Sequence, residues 1–125
     1  MQAVCNLIDA ALNGEIYYDE FAQKVRELGV ESISLDVIRG HHTFYTTDGQ
    51  VFDHPLLAGH SFPVAAAFSK DAVAAAITGF DKRELNPAEF HRALTQAGVS
   101  FARCYYEGNR AIYISPKGEF YLEQW

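Results

Sequence analysis

Residues 3–52 align with residues 72–121 without a gap, at a constant offset of 69. The identical pairs are Ala3/Ala72, Val4/Val73, Ile8/Ile77, Glu15/Glu84, Glu20/Glu89, Phe21/Phe90, Gly29/Gly98, Val30/Val99 and Gly49/Gly118. Similar pairs fall in the same frame: Ile16/Leu85, Val25/Leu94, Phe44/Tyr113 and Phe52/Tyr121. A repeat of this length is one supersecondary unit that buries its apolar face against its copy. The halves are therefore expected to share one topology, with Phe21 and Phe90 buried at matching places.

Hydrophobic periodicity gives that topology. Val4, Leu7, Ile8, Ala11 and Leu12 recur at helical spacing, which predicts a helix over 2–13. Phe21, Val25 and Leu28 predict a second over 17–28, closed by Gly29. In the second half Ser69 is placed to cap a helix carrying Val73, Ala76, Ile77 and Phe80. Asn86-Pro87-Ala88-Glu89 reads as a capping box ahead of Phe90, Ala93, Leu94 and Ala97, with Gly98 as terminator. Gly29 and Gly98 are expected at positive φ.

Beyond each terminal glycine the period becomes two. Ile33, Leu35 and Val37 alternate with Ser32, Ser34 and Asp36, the pattern of a strand with one buried face. Turn signals at Arg39-Gly40, Asp48-Gly49, Gly108-Asn109 and Lys117-Gly118 divide each half into three strands. The expected fold is α+β: two tandem αα-βββ repeats forming a mainly antiparallel six-stranded sheet, helices on one face, with pseudo-two-fold symmetry. At 125 residues the chain is one domain. Its parts are repeat one (3–52), a connecting loop (53–71) and repeat two (72–121).

The runs FAQKVRELGVE, SISLDV and TFYTTDGQV resemble the DUF1398 family, as do AEFHRALTQAGV and ARCYYEGNRAIYISPKGEF. The likeness spans nearly the whole chain. It implies a small bacterial protein of this length, in some cases encoded in a prophage and labelled phage envelope protein. The shared motifs are helix–glycine–strand junctions and hairpin turns, so the resemblance implies no catalytic residues.

Composition narrows the function classes. A net charge of −6 disfavours nucleic-acid backbones and anionic membrane surfaces, which select basic proteins. No apolar run reaches the length of a spanning helix, and no secretory leader is legible. Cys5 and Cys104 belong to no CxxC or zinc-like spacing and read as reduced thiols, which fits the cytoplasm. No cofactor motif is present. Gly59-His60-Ser61-Phe62-Pro63 lacks the second glycine and the preceding strand of a nucleophile elbow.

Five histidines occur. His41 and His42 are neighbours on a strand and point to opposite faces. His54 and His60, with Asp53, are placed to converge in the connecting loop, where they would suit a ligand, a divalent metal or acid–base work, or else are bonded to backbone and water. Pro55, Pro63, Leu56, Leu57 and Phe62 predict that this loop is ordered. His91 replaces Ala22 of the first half and reads as solvated. On the sheet face away from the helices, Arg103, Tyr105 and Phe101 stand opposite a small polar half, as a dimer interface or a small-ligand site. The reading adopted is a non-enzymatic cytoplasmic ligand-binding or regulatory module, a homodimer, with no metal. Its groove is expected between the halves and beneath the 53–63 loop. The alternatives are a small enzyme using the loop histidines and a phage-associated structural or interaction protein.

Overall fold

The computed structural model describes residues 1–56 and 60–125. Its elements run in the order α1 (Gln2–Leu12), α2 (Tyr18–Glu27), β1 (Val30–Asp36), β2 (His41–Thr46) and β3 (Val51–Pro55). Then follow α3 (Lys70–Asp81), α4 (Pro87–Gln96), β4 (Phe101–Tyr105), β5 (Arg110–Ile114) and β6 (Phe120–Gln124). The six strands form one sheet in the order β3-β2-β1-β4-β5-β6. Every neighbouring pair is antiparallel. No helix among the described residues is long and apolar enough to cross a membrane.

Local chemistry accounts for the helix boundaries. The Ser69 hydroxyl accepts from the Ala72 amide at 3.1 Å. Asn86 and Glu89 close a reciprocal capping box at 2.8 and 3.0 Å, and Pro87 at the first helical position gives up no hydrogen bond. Gly29 and Gly98 end α2 and α4 at φ +87° and +91°, the left-handed region in which a Cβ is costly.

The β1–β4 pair joins the two halves, with Ser34 opposite Arg103 and Ile33 opposite Cys104. Two apolar clusters form on the helix side. One gathers Val4, Ile8, Phe21, Val25, Ile33 and Phe44 around α1, α2 and β1. The other gathers Val73, Ile77, Leu94, Val99, Ala111 and Tyr113 around α3, α4 and β5. Phe21 is core, whereas Phe90 is only partly buried. Phe90 lies flat on Phe80, centroids 4.2 Å apart, and both rings border an open space between the halves.

The connecting segment begins later than expected. Strand β3 runs to Pro55 and α3 starts at Lys70, so Asp53 and His54 are strand residues. Leu57 and Gly59 lie outside the described residues. The remainder is a strap laid along α4: Ala65 N–H donates to Thr95 O and Ser69 N–H to Ala97 O, both at 2.9 Å. Arg92 caps the Phe62 ring, its guanidinium carbon 4.9 Å from the centroid.

Candidate functional site

Between the two half-cores, under β1 and β4, lies a cavity of about 370 Å³. Its cause is legible in the strands. Ala102, Cys104 and Ala111 face the helices where the offset of 69 puts Ile33, Leu35 and His42 in the first half. Three small side chains leave the seam unfilled. Leu12, Phe21, Ile77, Phe80, Phe90 and Leu94 wall it from the helices. The register sets its direction: His42 pairs with Leu35, Leu35 with Ala102, and Ala102 with Tyr113. The cavity thus crosses the sheet from β2 to β5.

Its two ends differ chemically. At the β5–β6 end Tyr18 Oη sits 3.3 Å from Cys104 Sγ, and Tyr113 donates to Glu123 Oε1 at 3.0 Å. Burial pushes the hydroxyls of Tyr18, Tyr106 and Tyr113 up and the Cys104 thiol up to about 11. Cys104 is therefore a thiol at neutral pH and a poor nucleophile. Burial also raises the carboxyls of Asp81 and Glu123. Trp125 stands at this end, 56% exposed.

The β2 end is lined by His42 and His91. Their ring centroids are 6.0 Å apart, and His60 stands edge-on to His91 at 5.6 Å. His54, beside His42 in the sheet, shares a hydrogen bond with Asp9 Oδ1 of α1 at 2.8 Å. His60 and His91 are buried. His42 keeps some exposed surface, but its Nδ1 atom is enclosed. Nδ1 of His42, His60 and His91 has no hydrogen-bond partner among the described residues. Burial, then the neighbouring imidazoles His91, His54 and His60, lowers His42 to about 3. Burial, then His60, lowers His91 to about 4. Burial also lowers His60. All three are neutral at pH 7.

The expected loop site is rearranged. Asp53 and His54 alternate along β3 and point to opposite faces. Asp53 accepts from Thr43 Oγ1 at 2.6 Å and pairs with Arg39 at 3.6 Å on the far side of the sheet. It does not meet His54 or His60. His91 is buried rather than solvated, 5% exposed, and is the central member of the cluster. His41 and His42 do take opposite faces: His41 Nδ1 lies 2.9 Å from Arg39 O, while His42 joins the cavity wall. The overlooked signal was His91 itself, an imidazole where the other half has alanine.

On the outer face Arg103 donates to Ser32 Oγ at 3.0 and 3.3 Å. Its guanidinium carbon lies 4.0 Å from the Tyr45 centroid and 4.9 Å from that of Tyr105. That cation is already held by its own sheet. A second hollow, about 340 Å³, lies between the helix turns. Its Arg83 is likewise engaged, by Asp19 at 3.0 Å and the Tyr17 ring at 3.9 Å.

Among the described residues, no group of three His, Cys, Asp or Glu is arranged to hold a metal ion. No protein-family model matches the chain, and no curated protein matches it. The resemblance to the DUF1398 family rests on the sequence motifs alone.

Proposed function

We propose that this chain is a binding module that takes a small, largely apolar molecule into the seam between its halves. The observation that supports this is the cavity. It opens to solvent, and its volume of about 370 Å³ lies within the range of ligand sites. The chemistry favours binding over catalysis. Cys104 is held as a thiol, and imidazoles lowered as far as those of His42 and His91 are weak bases.

Trp125, the chain's single tryptophan, stands at the cavity and serves as the reporter. Titration with 1-decanol should shift its emission and raise the melting temperature, as a ligand of the native state does. Ala111→Phe should fill the floor, weaken decanol binding at least about tenfold and leave the fold stable. Undiminished binding by that variant would place the ligand elsewhere.

The same reading treats the halves as copies about a pseudo-two-fold axis. Support comes from the pairing: Ser34 and Arg103, partners at the centre of β1–β4, are themselves separated by the repeat offset. Ser32 opposite Tyr105 maps onto Asp36 opposite Phe101. The DUF1398 assignment and a cytoplasmic location belong to this proposal as well.

Self-association is the second part of the reading. Val51, Tyr105, Phe120 and Leu122 are exposed on the sheet, 58, 36, 52 and 42% respectively. A second copy packed on this face would cover them. Sedimentation at micromolar concentration should show a dimer that Leu122→Lys shifts toward monomer. A 14.0 kDa species at all concentrations would end this part.

A further inference from the structure

The cavity has a polarity that an apolar ligand alone leaves unused. His42 and His91 line one end, and their imidazoles are the hydrogen-bonding side chains placed there. At the other end stand Asp81 and Glu123. Resting on the cavity reading, we infer that the ligand is a medium-chain monocarboxylic acid, its apolar body over Ala102 and Ala111 and its carboxyl against His42 and His91.

Charge sets the orientation. A carboxylate at the β5–β6 end would face Asp81 and Glu123, and the lining cation of α2, Arg26, is exposed to solvent, where its charge is screened. At the β2 end the groups facing His42 are His54 of β3, His91 of α4 and His60 of the strap. The acid found there, Asp9 of α1, is engaged by His54. An anion supplied by the ligand would offset the repulsion that these imidazoles exert on one another once protonated. Binding a carboxylate at neutral pH would therefore draw one proton from solvent, which would lodge between the carboxyl and an imidazole.

Geometry sets the length. His42 and Tyr113 lie on strands three intervals apart, about 14 Å at ordinary strand spacing. At interior packing density, a cavity of about 370 Å³ holds roughly fifteen non-hydrogen atoms. Both measures fit a chain of roughly eight to twelve carbons.

Decanoic acid and 1-decanol share an apolar body and differ in the head. Titrated at pH 7 against Trp125 emission, the acid should bind about 10- to 100-fold more tightly than the alcohol, the worth of one charge-assisted hydrogen bond. Calorimetry in buffers of different ionisation enthalpy should show about one proton taken up per acid bound. In the His42→Gln, His91→Gln double variant the preference of the acid over the alcohol should vanish. Equal affinities in the wild type would overturn the head-group inference and leave the cavity reading standing. Binding of neither molecule would overturn both. If the double variant does not fold, the wild-type proton count decides: no uptake overturns the inference. Zinc ion alone raising the melting temperature, an effect lost in single His42 and His91 variants, would overturn it too, making the imidazoles a metal site.

Discussion

Lowering the pH from 7 to 4 should destabilise the protein by on the order of 5 kcal/mol, with the loss beginning near pH 6.5. The sign follows from the direction of the shifts. His42 and His91 have folded values of about 3 and about 4, below the ordinary imidazole value of 6.5. Between those limits the unfolded chain binds protons that the folded chain refuses, so stability rises with pH and falls on acidification. Each histidine contributes about 1.4 kcal/mol per pH unit across its window, and adjacency makes the two less than additive. Glu123 and Asp81 work the other way. Their raised carboxyls favour the fold at low pH, with that contribution lost as pH rises through their folded values. Asp19 and Asp53, held below the usual carboxylate range by Arg83 and Thr43, weaken the fold only at still lower pH. Urea midpoints at pH 7, 6, 5 and 4 measure the slope, and His42→Leu should flatten it. A midpoint unchanged from pH 7 to 4.5 would mean that the imidazoles accept protons within the fold.

Gly98→Ala should destabilise by about 3–4 kcal/mol, and Gly29→Ala by only about 1 kcal/mol. Both glycines have positive φ, which penalises any side chain. They differ in what lies above them. A Cβ on Gly98 would stand 2.5 Å from Ala67 O and 2.8 Å from Phe68 Cα. Those are backbone atoms of the strap, which Ser69 and Ala65 tie to Ala97 and Thr95 at 2.9 Å. The strap has to lift. A Cβ on Gly29 would meet nothing nearer than Thr47 Oγ1 at 3.7 Å. Chemical denaturation of the two variants measures the difference, and equal losses near 1 kcal/mol would show that the strap is loosely seated.

The helices and strands were legible because their signals are local. The Ser69 and Asn86 caps and the terminal Gly29 and Gly98 each act within a few residues, and the folded chain uses all of them. The alternation from Ser32 to Val37 marks a strand, but Ser32 and Ser34 are buried as deeply as Ile33 and Leu35, so the expected wet face is covered. The boundary at residue 53 was misread for the same reason. Asp53-His54-Pro55 has turn composition, but pairing with Thr43, His42 and His41 holds it in the sheet. Cross-strand pairing outweighed local preference, and proline is tolerated at the end of an edge strand.

The candidate site was less legible. Asp53 and His54 are adjacent in sequence, and strand alternation parts them; His42, His60 and His91 are distant in sequence, and packing gathers them. Periodicity placed His91 on a helix but could not tell which neighbour would cover it. Arg103 and Tyr105 share the outer face of the sheet, where Ser32, Tyr45 and Tyr105 engage the guanidinium, contacts that residue type and alternation do not specify.

By itself the sequence determined the αα-βββ order in each half, the caps and the glycine terminators, since these follow from φ/ψ preference and from periods of 3.6 and two. Tertiary structure alone decided that β1 would pair with β4, that Ala102, Cys104 and Ala111 would leave a seam open, and that His42 of a strand and His91 of a helix would meet at one end of it, with His60 of the strap against His91. A cavity is a shortfall of volume summed over residues from both halves, and a buried imidazole is defined by what lies over it. Neither quantity exists until distant segments meet.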